Sequence, residues 1–133
     1  MLRGGVSKRG ADDGEVPRVL ILEDEWLIAL DLQMVLEDAG YAIAGPASSV
    51  SGALELIRRE EIAAGLLDLH VGEQTSYPIA VALRELGIPF LFLTGHTRAN
   101  LEPEFRNESV VSKPIERRDL VRRLEAIVGT GAR

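Results

Sequence analysis

Five side chains able to do chemistry stand at the ends of short apolar runs in this sequence. Glu23 and Asp24 follow Val19-Leu20-Ile21-Leu22, and Asp68 closes Gly65-Leu66-Leu67. Thr94 follows Phe90-Leu91-Phe92-Leu93, and Lys113, with Pro114 after it, follows Val110-Val111-Ser112. Taken alone, Glu23-Asp24 reads equally well as the acidic start of a helix, favoured by the helix dipole. Asp68 weighs against that reading, because an aspartate inside Leu66-Leu67-Asp68-Leu69 is costly to bury unless it is paired or bound. Three carboxylates gathered without a cation repel one another and raise at least one pKa. Mg2+ relieves this, since it takes oxygen ligands, keeps several waters and bridges carboxylate to phosphate. A phosphoryl group on Asp68 would bring charge and acceptor oxygens that the Lys113 ammonium and the Thr94 hydroxyl can satisfy.

For these residues to meet, the chain must deliver the ends of several strands to one rim. An open parallel α/β sheet does this, because ligands bind outside the carboxyl ends of its strands. From Arg18 onward, apolar runs alternate with amphipathic stretches, the pattern of βαβ units. Strands are expected over residues 18–23, 41–45, 64–69, 88–93 and 110–112. Helices are expected over about 25–39, from a cap at Ser48, Ser49 or Ser51 to about Arg59, from Pro78 to Gly87, and over 116–128. The last helix gathers Leu120, Val121, Leu124, Ile127 and Val128 on one face. Residues 95–108 have little helical periodicity and few apolar anchors, and Pro103 interrupts them. The fourth crossover is therefore expected to be short or irregular, at the low-stability end of the fold.

Residues 1–17, rich in glycine and charge, read as a flexible tail, with the domain over 18–129 and a short tail over 130–133. A chain of 133 residues with 46% hydrophobic and 27% charged residues suits one soluble domain. No apolar run approaches the ~20 residues a membrane span needs, and no apolar stretch follows Arg3, Lys8 and Arg9 as in a secretory signal. The lack of cysteine excludes disulfide and thiolate chemistry and is compatible with the cytoplasm. A net charge of -6 argues against nucleic-acid binding, which leans on a basic face.

The acidic pair Glu23-Asp24, the acceptor-like Asp68, the hydroxyl of Thr94 and the Lys113-Pro114 dipeptide resemble, in identity and order, the pattern of bacterial response-regulator receiver domains. The resemblance covers about Val19 to Val128. It implies a flavodoxin-like (βα)5 doubly wound, five-stranded parallel sheet of order 2-1-3-4-5. It further implies that Asp68 accepts a phosphoryl group from a histidine kinase or phosphotransfer protein. Asp24, Asp68, the main-chain carbonyl of His70 and Glu23 would then hold Mg2+, Thr94 and Lys113 would bind the phosphoryl oxygens, and Lys113-Pro114 would be cis. The sequence departs from most receivers at Val110, a position commonly aromatic, and in the short stretch from Thr94 to Lys113. With Ser76-Tyr77-Pro78, Ile88-Pro89-Phe90 and Phe92-Leu93-Thr94-Gly95, these departures resemble a stand-alone receiver subclass with a Phe-Ala-Thr-Gly-Tyr-type motif, Leu93 and His96 replacing the alanine and the final aromatic.

Other residues carry weaker signals. His70 and His96 are expected near the rim, where they suit control of water access better than a transition-metal site. Trp26 is equally a core residue or an exposed kinase-docking anchor. Arg117, Arg118, Arg122 and Arg123 fall largely off the apolar stripe of the last helix and read by default as a solvated face. The leading expectation is a single-domain response regulator with output through contacts to a downstream protein. The alternative is a small Mg2+-dependent phosphohydrolase with Asp68 as nucleophile, but Asp68-Leu69-His70 offers only a histidine as nearby acid or base. A flavin or nucleotide module is disfavoured, since no glycine-rich loop follows the first strand and Glu23-Asp24-Glu25 would repel phosphates.

Overall fold

The apolar runs pair side by side in the computed structural model, which describes residues 16–95 and 101–131. Strands β1 (Arg18–Leu22), β2 (Ala42–Ala47), β3 (Ala64–Asp68), β6 (Phe90–Thr94) and β7 (Val110–Ser112) form one sheet in the order β2-β1-β3-β6-β7. Every pairing in it is parallel, so the five strands lie in the expected flavodoxin-like order 2-1-3-4-5. Helices α1 (Trp26–Asp38), α2 (Val50–Arg59), α3 (Tyr77–Glu85) and α4 (Arg117–Gly131) cover its two faces. Central strands sandwiched this way have no wet face, which is why β3 and β6 are unbroken buried runs.

Alternate residues feed two cores. Leu20, Leu22, Leu67, Phe90 and Phe92 face α2 and α3, where Ala53, Ile79 and Leu83 meet them. Ile21, Leu66, Leu91 and Leu93 face α1 and α4 and meet Leu32, Leu36, Leu120 and Leu124. Each fully buried leucine contributes roughly 1.5–3 kcal/mol. Among Ser48, Ser49 and Ser51, the cap of α2 is Ser49, whose Oγ accepts from the Gly52 N–H at 3.0 Å. Pro78 sits in the first turn of α3, where its missing N–H costs nothing.

Several boundaries differ from expectation. β2 begins at Ala42 and runs on to Ala47 through a cis Gly45–Pro46 peptide, with a register shift against β1 between Leu20 and Leu22. Gly45 is required there: its φ is 97°, and a Cβ would lie 2.5 Å from the Ala47 nitrogen. Proline is tolerable because β2 is an edge strand. The expected strand over 88–93 starts only at Phe90, after Ile88-Pro89. Lys113–Pro114 is cis, as expected. A small antiparallel hairpin, β4 (His70–Val71) with β5 (Gln74–Thr75), follows β3 and turns at Gly72; two-residue strands leave no periodicity to read.

The fourth crossover is irregular, as expected: its described part holds a single 3-10 turn, Pro103–Phe105. It is not poorly anchored, however. Leu101 is 3% exposed and Phe105 fully buried, both in the α2/α3 core. Two well-spaced apolar side chains held this segment where no helical repeat announced it. The expected tail over 1–17 lies outside the described residues up to residue 15, as do residues 132 and 133. Helix α4 itself continues to Gly131, beyond the expected end at 128.

Candidate functional site: an acidic pocket at the strand ends

The parallel register sets the site. Asp68 ends β3, Thr94 ends β6, and the Thr94–Ser112 pairing places Lys113 beside Thr94, with the Lys113 N–H donating to the Thr94 carbonyl at 2.9 Å. Glu23 and Asp24 leave β1 next door, where the Glu23 N–H donates to the Ala47 carbonyl at 2.9 Å. One ligand oxygen from each of Glu23, Asp24 and Asp68 can be chosen so that all lie within 4.8 Å of one another. The five residues singled out by chemistry therefore share one rim.

Their surroundings differ. Glu23 is 2% exposed; its Oε1 accepts from Lys113 Nζ at 3.1 Å and its Oε2 from the Glu25 N–H at 3.1 Å. Asp68 is 8% exposed, with Oδ2 3.4 Å from Lys113 Nζ. Asp24 is exposed, and its Oδ2 accepts from the Gly72 N–H of the β4–β5 hairpin at 2.8 Å. Burial first, then the Glu23 charge, pushes the Asp68 carboxyl up to about 6 against the opposing pull of Lys113. Burial alone would lower Lys113, but its hydrogen bond to Glu23 and the charges of Asp68 and Glu23 raise it overall. One ammonium bridges two carboxylates of a cluster of three, so negative charge is in excess. Hard oxygen donors this close fit a Mg2+ ion.

His70 opens the hairpin two residues past Asp68 and is exposed; His96 lies outside the described residues. Trp26 is not a core residue: it is 72% exposed at the start of α1, beside exposed Leu27, Leu30 and Met34. Of the α4 arginines, Arg122 and Arg123 pair with Asp119, and Arg117 lies 3.8 Å from Asp38. Val110 is buried. The sequence reading missed the hairpin's contact with Asp24 and the packing of Tyr77. The signal for the first was the glycine in Val71-Gly72-Glu73, placed for a turn at φ 61°.

No protein-family model matches the chain. It is 31% identical over 121 residues to the transcriptional regulatory protein PdtaR of Mycobacterium tuberculosis, covering 87% of this chain but only 59% of that protein's length. It is 29% identical over 116 residues to the response regulator receiver protein CpdR of Brucella abortus, covering 84% of this chain and 96% of CpdR. The solution structure of SdrG from Sphingomonas melonis Fr1 superposes with a TM-score of 0.75 at 34% identity, covering 85% of this chain and 97% of that one. With the acidic rim and the 2-1-3-4-5 sheet, these relatives place the chain in the response-regulator receiver family.

Proposed function

We propose that this chain is a phosphorylation-controlled switch in a two-component relay, with Asp68 as acceptor. The observation that carries this reading is the Asp68 carboxylate itself, buried at a strand end, 3.4 Å from Lys113 and clustered with two further carboxylates. In the transfer, an Asp68 oxygen attacks the phosphorus of a phosphohistidine on a histidine kinase or phosphotransfer protein. The P–N bond breaks, and its electron pair returns to the imidazole nitrogen. Lys113 and Thr94 face the phosphoryl oxygens, and the Lys113 N–H bond to Thr94 holds the two together. Glu23, Asp24, Asp68 and the His70 carbonyl would hold Mg2+, which supplies charge neutralisation for the incoming group.

Hydrolysis of the acyl phosphate by the chain's own pocket resets the switch, so the chain is not an enzyme acting on separate substrates. Trp26, Leu27, Leu30 and Met34 form an exposed apolar strip beginning two residues past Asp24; a protein seated there brings its histidine to the pocket. The domain is assigned to 18–129, and output passes through protein contacts, not nucleic acid or membrane, from the cytoplasm. The subclass with the Phe-Ala-Thr-Gly-Tyr-like motif is assigned on Phe92-Leu93-Thr94-Gly95 and Val110. A stand-alone role is proposed with that subclass, on the same motif residues.

Incubation with an acyl-phosphate donor and Mg2+, followed by intact-mass measurement, tests the assignment. Wild type gains one phosphoryl group and Asp68→Asn gains none. An undiminished gain in the mutant moves the acceptor elsewhere, and steady phosphate release from many phosphomonoesters identifies a phosphohydrolase instead.

A further inference from the structure

The fourth crossover is tied to an aromatic from another element. The Tyr77 hydroxyl accepts from the Glu102 N–H at 2.9 Å. Its ring stacks on Phe105 with centroids 4.7 Å apart and planes 9° apart. Both rings meet Phe92 edge-on, at 5.9 and 5.7 Å. On the far side, the Arg84 guanidinium lies 4.7 Å over Phe105 and pairs with Glu108 at 2.6 Å. Helix α3 thus grips the crossover from Glu102 to Glu108.

The route from Asp68 to this grip is short. Asp68 precedes Leu69, whose carbonyl accepts from the Ser76 N–H at 3.0 Å, and Ser76 precedes Tyr77. That bond closes the same hairpin whose Gly72 N–H is held by Asp24. The Ser76 hydroxyl is fully buried and has no hydrogen-bond partner, so this joint has a bond to gain on rearranging. The crossover is also flanked by Thr94, which ends β6 before it, and by β7, which leads into Lys113, the two phosphoryl-binding groups of the reading above.

From this geometry we propose that Tyr77 is the positioning residue through which phosphorylation of Asp68 is felt by the fourth crossover, with the Tyr77–Glu102 hydrogen bond as the latch. The proposal rests on the phosphoacceptor reading above. When Thr94 and Lys113 close on the phosphoryl group and the hairpin follows Asp24, the two ends of the latch move relative to each other. The bond must then re-form or break, and α3 and residues 101–108 change together as the output face.

The full-length chain with Tyr77→Phe tests this, since the ring stays and only the hydroxyl is lost. Intact mass after treatment with an acyl-phosphate donor and Mg2+ is followed beside amide exchange and amide shifts over residues 101–108. The variant is expected to gain the phosphoryl group like wild type. Its unphosphorylated Glu102 amide should exchange roughly fivefold faster, as loss of one hydrogen bond implies. The phosphorylation-dependent changes at Phe105 and Glu108, clear in wild type, should fall by at least half. Equal changes in variant and wild type, with both phosphorylated, overturn the latch while leaving the acceptor reading intact. Failure of wild type to gain mass overturns both.

Discussion

Asp68 is the residue where environment and chemistry conflict most. Burial and the Glu23 charge hold its carboxyl at about 6, above its ordinary 3.8. The folded state therefore binds this proton more tightly than the unfolded chain, so Asp68's contribution to stability falls as pH rises from about 4 to about 6 and stays low above that. At one pKa unit per ~1.4 kcal/mol, Asp68→Asn should be more stable than wild type by about 1–3 kcal/mol at pH 7.5 without Mg2+, and the gap should close near pH 4. Urea unfolding at both pH values checks this. Added Mg2+ should stabilise wild type and do little for the mutant. Asp24 behaves differently: its removal relieves repulsion but also frees the Gly72 N–H. Asp24→Ala should change apo stability by less than about 1 kcal/mol and slow Mg2+-dependent phosphorylation at least tenfold, on the order of losses from disturbed metal sites. A wild-type rate of mass gain in that mutant would remove Asp24 from the metal site.

Helix α1 turns one face to the core through Leu32, Val35 and Leu36 and another, with Trp26, Leu27, Leu30 and Met34, to water. An apolar strip of this size in water marks an interaction surface. Its position beside Asp24 separates two kinds of phosphorylation. On the docking proposed above, small acyl phosphates reach Asp68 without touching α1, whereas a histidine kinase seats on it. Trp26→Ala should thus lose ten- to a hundredfold in phosphotransfer from the cognate kinase or phosphotransfer protein, in the range of a hot-spot truncation, and keep its rate with the small donor. Equal rates from both donors would place docking elsewhere. Sequence alone left Trp26 undecided between core and surface, because α1 is apolar on more than one side and its pattern does not say which side faces the sheet.

For the molecule as a whole, the architecture and the pocket were legible for one shared reason. Buried parallel strands are apolar along their whole length, so a charged or hydroxyl residue at the end of such a run both marks the end and supplies the site; Asp68 and Thr94 do both. What escaped reading depends on contacts between distant segments. The β4–β5 hairpin is too short for periodicity, the path of β2 through Gly45–Pro46 rests on backbone geometry, and the crossover is pinned by Tyr77, far from it in sequence. The lone tryptophan, Trp26, is also the exposed one. That makes the unlabelled protein its own optical gauge, since any change in indole emission reports this spot alone. The free protein should emit with the red-shifted, readily acrylamide-quenched spectrum of an indole in water. Docking of a kinase domain lacking tryptophan should shift that emission to the blue, while Mg2+ or phosphorylation alone alters its intensity with little change of wavelength.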